Sequence, residues 1–183
     1  LIPTRKEPFR NGDLQKMLSL PHGTHVGKQL YMPQAELWVT WRALVCVLAQ
    51  SGMRKAEVAV PNGQKWGKRH LSRASVIFKI NGVCYEDPTR EQLLSMKEGD
   101  FVILTPPPSQ ADKFGAVWCS SPIWLEYIPK AGKAAQALIN MEVNVPCKGG
   151  RKETPMFTVD GKPMGHSRLD KLLKDVLCTF MSP

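Results

Sequence analysis

The chain has 183 residues, 43% hydrophobic and 22% charged, a balance that fits a folded globular protein and excludes disordered, collagen-like and coiled-coil chains. A compact chain of this length buries about 70% of the surface that its unfolded form exposes, enough for a real core. Lys and Arg number 25 against 16 Asp and Glu, a net charge of +9. That excess suits a polyanionic partner, nucleic acid first, although charge alone also serves solubility.

The five cysteines, Cys46, Cys84, Cys119, Cys147 and Cys178, are odd in number and form no C-x-x-C pair. They read as thiols in a reducing compartment, with no zinc clamp. No run approaches the roughly 20 apolar residues of a membrane span, and no charged-then-apolar signal opens the chain. The expectation is an intracellular protein, nuclear in a eukaryotic host, with no membrane partner and no cofactor. Leu1 opens the chain instead of Met, and helical rhythm persists almost to Pro183, so a fragment of a longer protein is expected.

In chain order, Asn11 or Asp13 can cap a short helix ending near Leu20, and a loop follows over 21–33. Over 34–50, Leu37, Trp38, Trp41, Leu44, Val45 and Leu48 recur at three- and four-residue spacing, the mark of a helix with a broad buried face. Ser51 and Gly52 end it, and 53–58 resumes as a short helical turn with Arg54 at the junction. The period then changes. Residues 75–80 (SVIFKI) are β-branched and aromatic, Asn81-Gly82 is a hairpin pair, and 83–85 is the return strand. Further strands are expected at 101–105, 115–118 and 123–127, interrupted by the triple proline 106–108. Helix returns at 131–142 and at 167–180, the latter carrying Leu169, Leu172, Leu173, Val176 and Leu177. A Gly- and Lys-rich loop, 146–155, lies between them. With no repeat or long linker, the expectation is one α+β domain over 1–183.

Residues 48–58, Leu-Ala-Gln-Ser-Gly-Met-Arg-Lys-Ala-Glu-Val, look like the first-arginine box of the tyrosine recombinase (phage-integrase-like) catalytic domain. Lys6-Glu7-Pro8-Phe9 is similar to the basic-Pro entry of that domain. Pro155-Met156-Phe157 with Gly161-Lys162-Pro163 resembles the segment leading to its second box. The resemblance covers nearly the whole chain, and 109–115 is closer to eukaryotic mobile-element recombinases than to bacterial ones. It implies a mainly helical fold with a small three-stranded antiparallel sheet. It also implies cleavage and rejoining of double-stranded DNA through a 3′-phosphotyrosine, without a cofactor. Self-association on DNA would run through a C-terminal part beyond this chain.

The chemistry behind the resemblance is specific. Such an enzyme stabilises a phosphorane, and a planar guanidinium donating two parallel hydrogen bonds suits its non-bridging oxygens. Arg54 takes that role, on the floor of a basic concave face, and Glu57, one turn on, orients it. The plain alternative is a surface Arg–Glu helix pair. The family also places a general-acid lysine on a hairpin of the sheet. Here the segment reads Ser109-Gln110-Ala111-Asp112-Lys113: Gln110 holds the expected position and delivers no proton, so Lys113 either substitutes or is a solvated turn residue.

A His-x-x-Arg box and a nucleophilic tyrosine should follow the last helix, and this sequence has neither there. His70-Leu71-Ser72-Arg73 matches the first pattern literally but precedes the sheet, His166-Ser167-Arg168 is wrongly spaced, and Tyr31, Tyr85 and Tyr127 read as packing residues. Cleavage is therefore not expected of this chain. Residues 65–73 (KWGKRHLSR) interleave Trp66 with a basic cluster, the composition that tracks phosphates, although a solvated loop shares it. With Lys55, the expected DNA contacts are Lys65, Lys68, Arg69 and Arg73. His22 and His25 read as solvated loop residues. The rival to the recombinase reading is a non-catalytic DNA-binding or interaction module that keeps the fold, and a third reading is an unrelated basic globular protein.

Overall fold

The computed structural model describes residues 11–108 and 122–181. Helix α1 (Asn11–Leu18) has Asn11 as its first residue and stops two residues short of Leu20, because the residue ahead of Pro21 is pushed out of helical geometry. A small hairpin of β1 (His25–Val26) and β2 (Gln29–Leu30) follows.

Helix α2 (Glu36–Ser51) buries Trp38, Val39, Thr40, Trp41 and the whole run from Ala43 to Val47. A helix apolar on nearly every side belongs in the middle of a fold. It starts later than the sequence pattern suggests because Ala35 is drawn into a turn, its N–H donating to Met32 O at 2.9 Å. Trp38 packs edge-on against Tyr31 at 5.1 Å and against Trp41 at 5.8 Å, the arrangement that aromatic quadrupoles favour. Its indole Nε1 donates to Leu30 O at 2.8 Å, tying the β1–β2 hairpin to the helix. Gly52 ends α2 at φ 68°, a left-handed position that costs a side chain-free residue little. The short α3 (Lys55–Val58) begins immediately beyond.

A 3₁₀ turn, Arg73–Ser75, leads into β3 (Val76–Ile80), and β4 (Val83–Tyr85) returns from it. Asn81 and Gly82 connect them with φ 49° and 83°, the two positive angles of the turn whose twist matches a right-handed hairpin. Helix α4 (Arg90–Leu94), β5 (Phe101–Leu104) and β6 (Ile123–Glu126) complete this part. The strands are all antiparallel, in the order β4-β3-β5-β6. This sheet has four strands, not the three that the recombinase resemblance implies: the hairpin return β4 adds an edge beside β3 while β6 pairs on the far side of β5. The register Tyr85–Phe78–Val102–Leu125 puts Phe78, Val102 and Leu125 on the core side. On the opposite face, Lys79 Nζ stands 5.1 Å from the Trp124 ring centre, and Phe101 meets the same ring edge-on.

Helix α5 (Ala134–Asn144), the hairpin of β7 (Thr158–Val159) and β8 (Lys162–Pro163), and helix α6 (His166–Met181) follow. Gln50 joins α2 to the start of α5 twice, donating from Nε2 to Gly132 O at 2.6 Å and accepting from Ala134 N at 3.0 Å. Buried side chains from α1, α2, the sheet, α5 and α6 form one continuous cluster. The chain is α+β, as its sequence pattern implies. The expected strand at 115–118 and the entry segment 6–9 lie outside the described residues. Among the described residues no helix is long and apolar enough to cross a membrane.

Burial on α2 has a chemical signature at Cys46, whose side chain is 1% exposed. Desolvation pushes its thiol up to about 12 from 9.0, only partly opposed by the nearby Arg42 charge. The unfolded thiol ionises first, so this group's contribution to stability is lost as pH rises from about 9 towards about 12. At pH 8, native labelling with a thiol reagent is expected to modify the exposed Cys84 and spare Cys46 until denaturant is added. Equal labelling of both in the native state would show that α2 is not buried as described.

Candidate nucleic-acid interface

The arginine box is shaped by the end of α2. Met53 is buried beneath the junction, its N–H donating to Ser51 Oγ at 3.2 Å, and Arg54 takes an extended conformation as the N-cap of α3. Glu57 Oε2 accepts from Arg54 N at 2.7 Å. The carboxylate therefore holds the arginine through its main chain and not through its guanidinium, in the manner of a capping box. The Arg54 side chain is exposed and has no ion pair among the described residues. It does not line any of the three clefts described below.

The segment after Arg54 is fastened to the start of α6. Lys55 Nζ reaches both oxygens of Asp170 at 2.8 Å. Val60 accepts from His166 N at 2.9 Å and donates to Met164 O at 3.0 Å. Asn62 Oδ1 accepts from the Ser167 N–H and hydroxyl at 3.1 and 2.8 Å. Lys55, expected to touch DNA, has its charge answered by a carboxylate, and a phosphate would have to compete with Asp170 for it.

The basic loop divides in two. Lys65, Lys68 and Arg69 are exposed and without ion pairs among the described residues. Trp66 is half-buried and donates from Nε1 to Leu71 O at 3.2 Å, while Gly67 N–H donates to His70 Nδ1 at 3.1 Å. Trp66, Lys68, His70, Ser72, Lys152 and Glu153 share a cleft of about 500 Å³, so of the loop's exposed cations Lys68 faces the same concavity as Trp66, while Lys65 and Arg69 do not line it.

Arg73 is a correction. It is 1% exposed, with Nη1 3.1 Å from Glu142 Oε2. Arg151 takes the other oxygen at 2.9 Å and donates to Arg73 O at 3.1 Å. The 3₁₀ turn carries Arg73 inward at the mouth of the sheet, where Glu142 of α5 meets it, so the residue is structural and unavailable to a phosphate. The literal match His70-Leu71-Ser72-Arg73 falls with it. Arg73 also lines a cleft of about 610 Å³ bounded by the 144–161 loop.

Lys113 and Gln110 lie outside the described residues. Tyr31 is 1% exposed and burial raises its phenol despite the Arg42 charge, while Tyr85 and Tyr127 pack half-buried against the core. The described residues hold no cluster of three or more His, Cys, Asp or Glu able to grip a metal ion, and His22 and His25 are exposed. Sequence reasoning missed the contribution of Lys152 to the Trp66 cleft. The Gly- and Lys-rich composition of its loop was the available signal, but it is the Ser72–Pro155 bridge, with main-chain bonds from Arg73 N to Thr154 O and from Met156 N to Leu71 O, that brings that loop to residues 71–74. Comparison with protein-family models, curated proteins and solved structures finds no match.

Replacing Glu142 with Ala leaves the buried Arg73 guanidinium with no carboxylate and the half-buried Arg151 with only the exposed Asp87 at 3.4 Å, which costs about 3–5 kcal/mol. Lys68→Ala, on the exposed loop, stays within about 0.5 kcal/mol of the parent. Urea unfolding of the two variants checks this, and a mild Glu142→Ala effect would mean that the ion cluster is wet and dispensable.

Proposed function

We propose that the chain is a DNA-binding portion of a tyrosine-recombinase-like catalytic domain, whose ancestral role is DNA strand cleavage and rejoining during recombination or integration. The observation that carries the reading is Arg54: a guanidinium without an ion pair among the described residues, presented at a glycine-terminated helix junction and held there through its backbone by Glu57. That state suits a residue kept for an external phosphate. The exposed Lys65, Lys68 and Arg69 beside the Trp66 cleft supply further backbone contacts.

The rival is a non-catalytic module with the same fold, and the tyrosines favour it for this chain taken alone. One is fully buried and two are packing residues, so none is placed to attack a phosphate. A longer protein carrying this chain separates the two readings: a His-x-x-Arg and a tyrosine downstream support the enzyme, and their absence supports the module.

Titration of labelled duplex DNA at several salt concentrations tests the binding. With about four to five phosphate contacts, log K falls against log salt with a slope of roughly −4, at affinities of roughly 10⁻⁴ to 10⁻⁶ M at physiological salt and with slight sequence preference. A slope near zero would leave the charge as a solubility feature.

A suicide substrate carrying a nicked strand is expected to leave no covalent adduct on this chain, because a 3′-phosphotyrosine needs an accessible phenol. An adduct mapped to Tyr31, Tyr85 or Tyr127 would overturn the assignment of those residues to packing.

A further inference from the structure

Where the loop 129–133 enters α5 alongside α2, the two helices leave a cleft of about 340 Å³. Arg42, Lys130 and Lys133 line it, and no carboxylate does. Arg42 and Lys133 are half-buried and Lys130 is exposed. Among the described residues none of the three has an ion pair, and the Arg42 side chain makes only a long 3.4 Å hydrogen bond to the Tyr31 hydroxyl. The contrast with Arg73 and Arg151 is informative. Those two arginines are folded around Glu142, whereas here three cations face one concavity with no internal counter-charge. Grouping like charges in a partly desolvated cleft is unfavourable unless an anion occupies it.

The remaining lining supplies apolar surface, Leu18, Val39 and Ala137 among it, and neutral amides. The volume lies at the lower end of the range for small-molecule sites. A guanidinium pairs bidentately with phosphate oxygens, and ammonium groups add point charges. We propose that this cleft binds a phosphate-bearing anion, with a small free phosphorylated ligand of diphosphate size as its occupant. Arg42 grips the oxygens while Lys130 and Lys133 neutralise the rest. The site is separate from the arginine box: Arg42 precedes Gly52 by roughly 15 Å of helix rise. It therefore stands whether or not the chain handles DNA.

The probe is inorganic pyrophosphate, titrated calorimetrically at low ionic strength into the wild-type chain, Arg42→Gln, Lys133→Gln and, as a control, Lys68→Gln. Binding by the wild type is expected, weakened about tenfold by either cleft substitution, since each removes charge-assisted hydrogen bonds, and unchanged in Lys68→Gln. Lys133 sits half-exposed at the start of α5, so its variant remains informative if Arg42→Gln is unstable. A short duplex added in competition identifies the source of the phosphate. Displacement of pyrophosphate makes DNA backbone the occupant, and no displacement makes it a free ligand; either result keeps the phosphate site. No binding by the wild type, or wild-type affinity in folded Arg42→Gln and Lys133→Gln, overturns it.

Discussion

Everything in this molecule is arranged around a helix that water cannot be allowed to reach. Helix α2 carries two tryptophans and an unbroken apolar run from Ala43 to Val47, so it must be covered on nearly all sides. The β1–β2 hairpin covers its start through Trp38, α5 lies along its length, and Thr40 Oγ1 donates to Thr158 O at 3.1 Å to bring in the β7–β8 hairpin. Elements far apart in sequence are thereby held to one axis, and the Arg54 junction is simply where that axis ends. The site inherits its rigidity from the most buried part of the fold.

A second constraint sits near the C-terminal end of α5. Glu142 is the single carboxylate between Arg73 and Arg151, and it binds three separate pieces of chain: the turn entering the sheet, α5, and the Gly- and Lys-rich loop. Arg73 Nε and Nη1 and Arg151 Nε lack well-formed hydrogen bonds among the described residues, although Arg73 Nη1 is within ion-pair distance of Glu142. The cluster is thus held at Arg73 by charge and at Arg151 by hydrogen bonds to both Glu142 oxygens. It fixes the mutual placement of these pieces more than it adds to net stability, as buried ion pairs generally do against an apolar alternative.

Much of the fold was legible in the sequence. The three- and four-residue recurrence of Leu37, Trp38, Trp41 and Leu44 marked α2, and Asn81-Gly82 marked the turn between β3 and β4, because both signals are local and steric. Helix α4 was missed although Thr89-Arg90-Glu91-Gln92 is a capping-box sequence, with Gln92 N donating to Thr89 Oγ1 at 3.2 Å; at five residues it is too short for periodicity to register. The candidate site was less legible. A basic run does not reveal which cation turns inward, so Arg73 and Lys68 looked alike in sequence. What separates them is Glu142, on another element. The same holds for Lys55, paired with Asp170, and for the cleft at Arg42, whose lysines come from a loop nearly ninety residues later. Charge partnerships between distant segments leave no trace in local spacing.

The seam between residues 55–62 and the first turn of α6 has a mechanical meaning. The Lys55–Asp170 ion pair, the Val60 backbone bonds and the two bonds to Asn62 are spread along both segments, and fastening at several points removes the freedom to pivot that a single link leaves. The last helix is then a lever welded at its base: a torque applied near Met181 is delivered to the backbone beside Arg54 instead of being absorbed by a hinge.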